Sequence, residues 1–250
     1  MSFITKENLQ VIQYNTFLPL SKKLESKEKE PNNIYIYSCN FNMNDFTRSL
    51  FSELQVYFPD ELKKSVNKRQ AEFLAGRYSA KQALYHSGLW QSLQSTPTIP
   101  VGKYRCPIWP TEIIGSITHN HITAACAVKV STPDNYIGID IEKHFTNETS
   151  NELESTILTP IEMTILQSNN ISRNTATTLA FSAKESLFKA LFPRVREYFG
   201  FDSAKIESIN TECKQICISL TEPFRKQHQL KSSYTCYYQF RKDSIFTLVK

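Results

Sequence analysis

The chain has 250 residues, 40% of them hydrophobic and 21% charged, with a formal net charge of +5. That length suits one large domain or two small ones, and the composition excludes disorder beyond short polar stretches. The modest positive excess points to an anionic partner without choosing among nucleic acid, an acidic protein and a phosphate-rich small molecule.

The opening MSFITKENLQVIQYNTF carries Lys6 and Glu7 and lacks a continuous apolar run, so it does not read as a signal peptide. Residues 21–33, SKKLESKEKEPNN, are charged and end in Pro-Asn-Asn, which predicts an exposed loop. IYIYSCNF (34–41) alternates β-branched and aromatic residues and predicts a strand. After Pro59 the pattern predicts a helix over 60–87, with room for one break, and Gly88 is its stop signal. An irregular stretch with Pro97, Pro100, Pro107 and Pro110 follows. IIGSIT (113–118) and TAACAVKV (123–130) predict two strands joined as a hairpin by HNHI, and STPDN (131–135) is a turn cluster and candidate boundary.

NYIGIDIE (135–142) predicts a further strand. Thr159-Pro160 opens a helix with a cap, a proline at the first position and an acid in the first turn. TATTLAFSAKESLFKALF (175–192) predicts a strong helix stopped by Pro193. KQICISL, SYTCYYQF and SIFTLVK predict an antiparallel sheet. Strands and helices are mixed without regular βαβ alternation, which argues for an α+β fold. No glycine-rich phosphate loop of the P-loop or dinucleotide type occurs. No apolar stretch reaches the roughly 18–20 residues that span a bilayer, and a cytoplasmic protein without a transmembrane segment is expected. The six cysteines, Cys39, Cys106, Cys126, Cys213, Cys217 and Cys236, form no CxxC pair and no zinc set. Free thiols, several of them buried, are expected.

Four places carry candidate chemistry. In NYIGIDIE, Ile137, Ile139 and Ile141 point to one face and Gly138, Asp140 and Glu142 to the other. Two carboxylates two residues apart on a strand lie about 6–7 Å apart. That spacing suits one hard cation, and it equally suits an ordinary solvated acidic face. On a helical wheel of FSAKESLFKALF, Phe181, Phe188 and Phe192 lie together, and Ala183, Leu187, Ala190 and Leu191 extend the apolar arc. Ser182, Ser186 and Lys189 form the polar side, and Glu185 falls at the rim, where a partly desolvated carboxylate can serve as ligand or base. A surface Glu185–Lys189 pair is the plain alternative. Lys184 falls inside the apolar arc, as a snorkelling side chain or a cation reserved for a buried anion.

In KRQAEFLAGRYSAKQAL (68–84), Arg69 and Arg77 stand about 12 Å apart along a helix, near Gly76 and Ala80, whose small size would let a ligand or backbone approach. Arginine suits forked phosphate contacts; a solvated basic face is the alternative. GSITH (115–119) ends a strand at a turn that can offer Thr118 and His119 to an anion. His121 adds no third metal ligand, and nothing here resembles a Ser-His-Asp hydrolase.

Together and in this order, KRQAEFLAGRYSAKQAL, VGKYRCPIWPTEIIGSITH (101–119), IGIDIE (137–142) and FSAKESLFKAL (181–191) resemble the Sfp-type 4′-phosphopantetheinyl transferases, particularly the enterobactin synthase component D branch. The resemblance implies a pseudo-twofold pair of similar α/β halves, residues 1–132 and 133–250, with coenzyme A and Mg²⁺ in the cleft between them. It implies that Asp140, Glu142 and Glu185 bind the metal, and that Glu185 is also the base for the carrier serine. Lys189 would be catalytic beside the pyrophosphate, and Arg69, Arg77 and His119 would hold coenzyme A phosphates, with Lys103, Thr118 and Lys184 as further candidates. The expected partners are acyl, peptidyl or aryl carrier proteins, often of siderophore-making non-ribosomal peptide synthesis, and a monomer is expected. Thr118 replaces the serine of many relatives and keeps the hydroxyl. Residues 1–60 and 200–250 carry no matching motif.

Other functions compete. A nucleic-acid binder would use the run Lys63, Lys64, Lys68, Arg69, but no reader motif accompanies it. A metal-dependent phosphoester hydrolase could use the same acids, and a non-catalytic carrier-binding relative would not need them.

Overall fold

The computed structural model describes residues 2–13, 16–19, 33–89, 98–133 and 135–250, the side chains of 9–13 and 16–19 excepted. Apart from Asn33, the loop expected over 21–33 lies outside the described residues, as does Pro97. The chain forms two compact units, Met1–Asn135 and Tyr136–Lys250.

The first unit contains β1 (Ile4–Gln13), β2 (Thr16–Pro19), β3 (Ile34–Phe41), the short helices α1 (Leu50–Glu53) and α2 (Asp60–Lys63), the long α3 (Asn67–His86), β4 (Ile113–His119) and β5 (Thr123–Val130). Its antiparallel sheet runs β2-β1-β3-β5-β4. The helix expected over 60–87 is broken at residues 64–66, because Val66 adopts an extended conformation before α3 begins. Strand β1 carries no clean alternation and escaped the sequence reading; its place is set by pairing with β3. The β4–β5 hairpin closes on Asn120, whose Oδ1 accepts from the Ile122 and Thr123 N–H groups. Leu74, Ala75, Ala80, Ala83 and Leu84 of α3 bury against Tyr35, Tyr37, Ala124, Cys126 and Val128 of the sheet. Gly76 lies where a Cβ would come 3.0 Å from the Ile117 side chain. Its smallness therefore serves helix–strand packing within the unit.

The second unit contains β6 (Gly138–Lys143), α4 (Asn147–Ile157), α5 (Pro160–Gln167), α6 (Arg173–Val195), β7 (Ala204–Asn210), β8 (Gln215–Leu220), α7 (Glu222–His228), β9 (Ser233–Phe240) and β10 (Ser244–Val249). Its antiparallel sheet runs β6-β10-β9-β8-β7. Leu179, Ala180, Ala183, Leu187, Ala190 and Leu191 of α6 pack with Ile216, Ile218, Cys236, Tyr238, Ile245 and Val249. Each unit is thus a five-stranded antiparallel sheet covered by one long helix, an α+β fold of two similar halves.

Helix α5 starts as its sequence requires, with a capping box between Thr159 and Glu162 and Pro160 at the first position. Helix α6 does not stop at Pro193. A proline in the last turn removes one backbone bond, to the Lys189 carbonyl, and the helix continues to Val195 before Arg196 ends it in the left-handed conformation. No helix among the described residues is long and apolar enough to cross a membrane. All six cysteines are free, with Cys39, Cys126 and Cys236 buried.

Candidate active site

In the second unit, β6 presents Gly138, Asp140 and Glu142 on the face that α6 covers. A Cβ on Gly138 would lie 2.5 Å from the Ala190 nitrogen and would run into the Ser186 carbonyl oxygen. Only glycine lets the helix backbone come this close to the strand. The acidic face is therefore not a solvated edge: Asp140 is buried and Glu142 half-buried.

Helix α6 brings Glu185 and Lys189 to this face. Lys189 Nζ donates to Asp140 Oδ1 at 2.6 Å. Burial, with repulsion from Asp140, pushes the Glu142 carboxyl up to about 8; Lys189 opposes the shift and Glu185 adds to it. Burial also raises the Glu185 carboxyl, with Lys189 opposing and Asp140 reinforcing. Three carboxylates within electrostatic reach of one another therefore face a single ammonium. Hard oxygen donors with surplus negative charge suit a cation such as Mg²⁺, so donor chemistry and charge both fit that ion. The side chains are not closed around a common point: among the described residues no three His, Cys, Asp or Glu side chains stand close enough to hold an ion.

Lys184 has a different place from the expected one. Its ammonium pairs with Glu162 Oε1 at 2.7 Å and donates to the carbonyls of Ile157 at 2.7 Å and Phe201 at 3.3 Å. Both charged side chains are 3% exposed. Burial pushes the Glu162 carboxyl up, but Lys184 and the N–H groups of Ile206 and Thr159 outweigh it and hold the group ionised. With its protons used and its charge matched, Lys184 is a structural cation and drops out of the coenzyme A candidates. Of the two readings open for a lysine inside an apolar arc, a snorkelling chain and a cation matched to a buried anion, the second holds, and the anion is Glu162. Ser182 and Ser186 likewise do not form a solvated face: both are fully buried and bond to Thr247 of β10.

In the first unit, α3 and the end of β4 bring Arg69 and His119 together, with Arg69 Nη1 3.4 Å from His119 Nε2. Thr118, the neighbour of His119 in β4, is buried. Arg77, two turns along α3, is 9% exposed and lies with its guanidinium 4.8 Å over the Phe73 ring. Its Nε is buried with no hydrogen-bond partner among the described residues. Burial, aided by the charge of Arg69, pulls the guanidinium down to about 10. An incompletely satisfied cation in this setting is suited to receive an anion. Lys103 sits on an exposed turn with its ammonium 4.8 Å over the Tyr104 ring.

Comparison with known proteins agrees in both units. Residues 58–129 match the 4′-phosphopantetheinyl transferase N-terminal domain, and residues 136–244 match the 4′-phosphopantetheinyl transferase superfamily. Enterobactin synthase component D of Salmonella typhi is 38% identical over 208 residues, covering 82% of this chain and 83% of that protein. The protein of the same name from Escherichia coli O157:H7 is 35% identical over 188 residues, covering 75% of this chain and 80% of that one. The 4′-phosphopantetheinyl transferase Npt of Nocardia iowensis is 33% identical over 161 residues, covering 60% of this chain and 68% of its own. These matches span both the acidic strand and the basic helix, and the chain belongs to the 4′-phosphopantetheinyl transferase superfamily, in the branch of enterobactin synthase component D.

Proposed function

We propose that this enzyme moves the 4′-phosphopantetheine arm of coenzyme A onto a serine of a carrier protein, with Mg²⁺ held by Asp140, Glu142 and Glu185. The observation that carries the reading is the contact of Lys189 Nζ with buried Asp140 Oδ1 at 2.6 Å, which sets α6 against β6 with Glu185 one turn before Lys189 and Glu142 two residues beyond Asp140. The names of the relatives make a carrier of siderophore-type non-ribosomal peptide synthesis the expected acceptor. We expect a monomer working in the cytoplasm.

Arg69, Arg77 and His119 bind phosphate oxygens of coenzyme A, and Thr118 and Lys103 assist. Arg77 is the best supported of these, since its buried Nε has a proton to give and no acceptor among the described residues. Glu185 takes the proton of the carrier serine. A carboxyl raised by burial is a better base than a solvated one. The serine oxygen bonds to the phosphorus bearing the pantetheine arm, and the bridging P–O bond breaks. Adenosine 3′,5′-bisphosphate departs with its 5′-phosphate as the dianion, and Lys189 offsets the charge that develops on the leaving oxygen. Mg²⁺, when bound, supplies charge neutralisation at the pyrophosphate.

The test is incubation with coenzyme A, Mg²⁺ and a panel of carrier domains, read by mass spectrometry for addition of one phosphopantetheine. Glu185→Gln is expected to lower transfer by about 10²–10⁴-fold while coenzyme A binding survives. Full transfer by that variant removes Glu185 from the mechanism. Nucleotide release without any acceptor points to a hydrolase instead.

A further inference from the structure

Three hydroxyls sit where an apolar contact would be expected. Ser182 and Ser186 of α6 and Thr247 of β10 are all 0% exposed. Ser182 Oγ lies 2.8 Å and Ser186 Oγ 2.7 Å from Thr247 Oγ1. Thr247 Oγ1 donates to the Ser182 carbonyl at 2.8 Å, and Ser186 Oγ reaches the Thr247 carbonyl at 3.2 Å. Three protons serve these four contacts: Thr247 donates to the Ser182 carbonyl, Ser182 donates to Thr247 Oγ1, and Ser186 shares its proton between Thr247 Oγ1 and the Thr247 carbonyl. Burying three hydroxyls is costly unless each is bonded, and alanine or valine would pack a helix on a sheet without that demand.

The network has a particular location. Thr247 stands directly across from Asp140 in the β10–β6 register, so the two side chains share a face. Ser182 and Ser186 bracket Glu185 in the chain, three residues before it and one after. Hydrophobic contacts are non-directional and tolerate small slides and rotations. Hydrogen bonds with defined angles do not. A one-residue slip of α6 would rotate Glu185 and Lys189 by about 100° and carry them off β6.

We propose that the Ser182–Thr247–Ser186 network consists of positioning residues, which set the rotation and axial place of α6 so that Glu185 and Lys189 meet Asp140 and Glu142. The inference rests on the function proposed above. Thr247 would then act on the reaction through these neighbours, without touching substrate.

The test compares Thr247→Val, which keeps the shape and removes the hydroxyl, with Thr247→Ser, which keeps the hydroxyl. Thr247→Val is expected to fold, with a melting midpoint within several degrees of the parent. It should lose transfer by about 10–100-fold in kcat, with the KM for coenzyme A unchanged. By calorimetry it should bind coenzyme A alone as the parent does, while the Mg²⁺-dependent gain in coenzyme A affinity weakens. Thr247→Ser should restore both readouts. Should Thr247→Val fail to fold, the double variant Ser182→Ala/Ser186→Ala is measured in the same way. A variant with a lowered midpoint but parental kcat and parental Mg²⁺ response overturns the proposal and leaves the hydroxyls a purely structural role. Asp140→Asn is the control: parental transfer by Asp140→Asn refutes the chemistry itself, whereas its inactivity beside an active Thr247→Val refutes only the positioning role.

Discussion

Two cations that look alike in the chain end in opposite situations. Lys184 is buried against Glu162 with its hydrogen bonds complete. Arg77 is nearly as buried, yet among the described residues its Nε has no hydrogen-bond partner and no carboxylate pairs with it. Removing one member of a buried pair strands the other charge and costs about 3–5 kcal/mol. Lys184→Met should therefore lower stability by about that much in denaturant titration, and adding Glu162→Gln, which removes the stranded charge but keeps an oxygen for the backbone N–H groups at this site, should return part of it. Arg77→Met has the reverse expectation. It removes a buried charge with no counterion, so the free enzyme should be at least as stable as the parent. Its coenzyme A affinity should fall by about 10–100-fold, the worth of one charge-assisted hydrogen bond. Calorimetry that finds parental affinity would falsify the phosphate role of Arg77. The sequence alone could not separate these two lysine- and arginine-type positions, because a wheel places a cation on an arc but does not say which acid, on another helix of the fold, comes to meet it.

At the scale of the element, legibility followed local chemistry. Helix α5 could be read from Thr159, Pro160 and Glu162 because a capping box is a contact between near neighbours. Strand β6 could be read from alternation, and the shared face of Gly138, Asp140 and Glu142 came with it. What could not be read was the direction in which that face looks. A solvated acidic strand and one pressed under a helix have the same spacing. The distinguishing residue is Gly138, and its meaning appears only when α6 is in place, with the Ala190 nitrogen 2.5 Å from where a Cβ would stand. Gly138→Ala must push helix from strand or bend the backbone. Its cost should exceed the about 1–3 kcal/mol of ordinary overpacking, because backbone atoms, not a flexible side chain, are in the way. A midpoint within a degree of the parent would show that α6 does not approach β6 so closely. Pro193 misled in the other direction: a proline was read as a stop, but in a final turn it forfeits only one backbone bond.

For the molecule as a whole, two sheets were only partly visible in advance. The β4–β5 hairpin is announced by the polar HNHI between its strands, and β8, β9 and β10 by their own β-branched and aromatic runs. β1 and the pairing of β6 with β10 are non-local, so no short window reports them. That non-local pairing brings Thr247 beside Asp140 and assembles the acids, and it gives the chain a pH-dependent stability that follows from the charges gathered there. The Glu142 carboxyl stands at about 8 in the fold against an ordinary 4.5. Below pH 4.5 it is protonated folded or unfolded. Between about 4.5 and 8 the unfolded chain gives up this proton and the folded chain keeps it, so stability falls as pH rises. Glu185 acts in the same direction. A divalent ion at these carboxylates competes with the same protons. Melting without metal should therefore decline from pH 5 to pH 8, and Glu142→Gln should flatten that decline. Added Mg²⁺ should raise the parent's midpoint more at pH 8 than at pH 6. Equal Mg²⁺ shifts at the two pH values, or an unchanged slope in Glu142→Gln, would mean that the ion and the proton do not share this carboxylate.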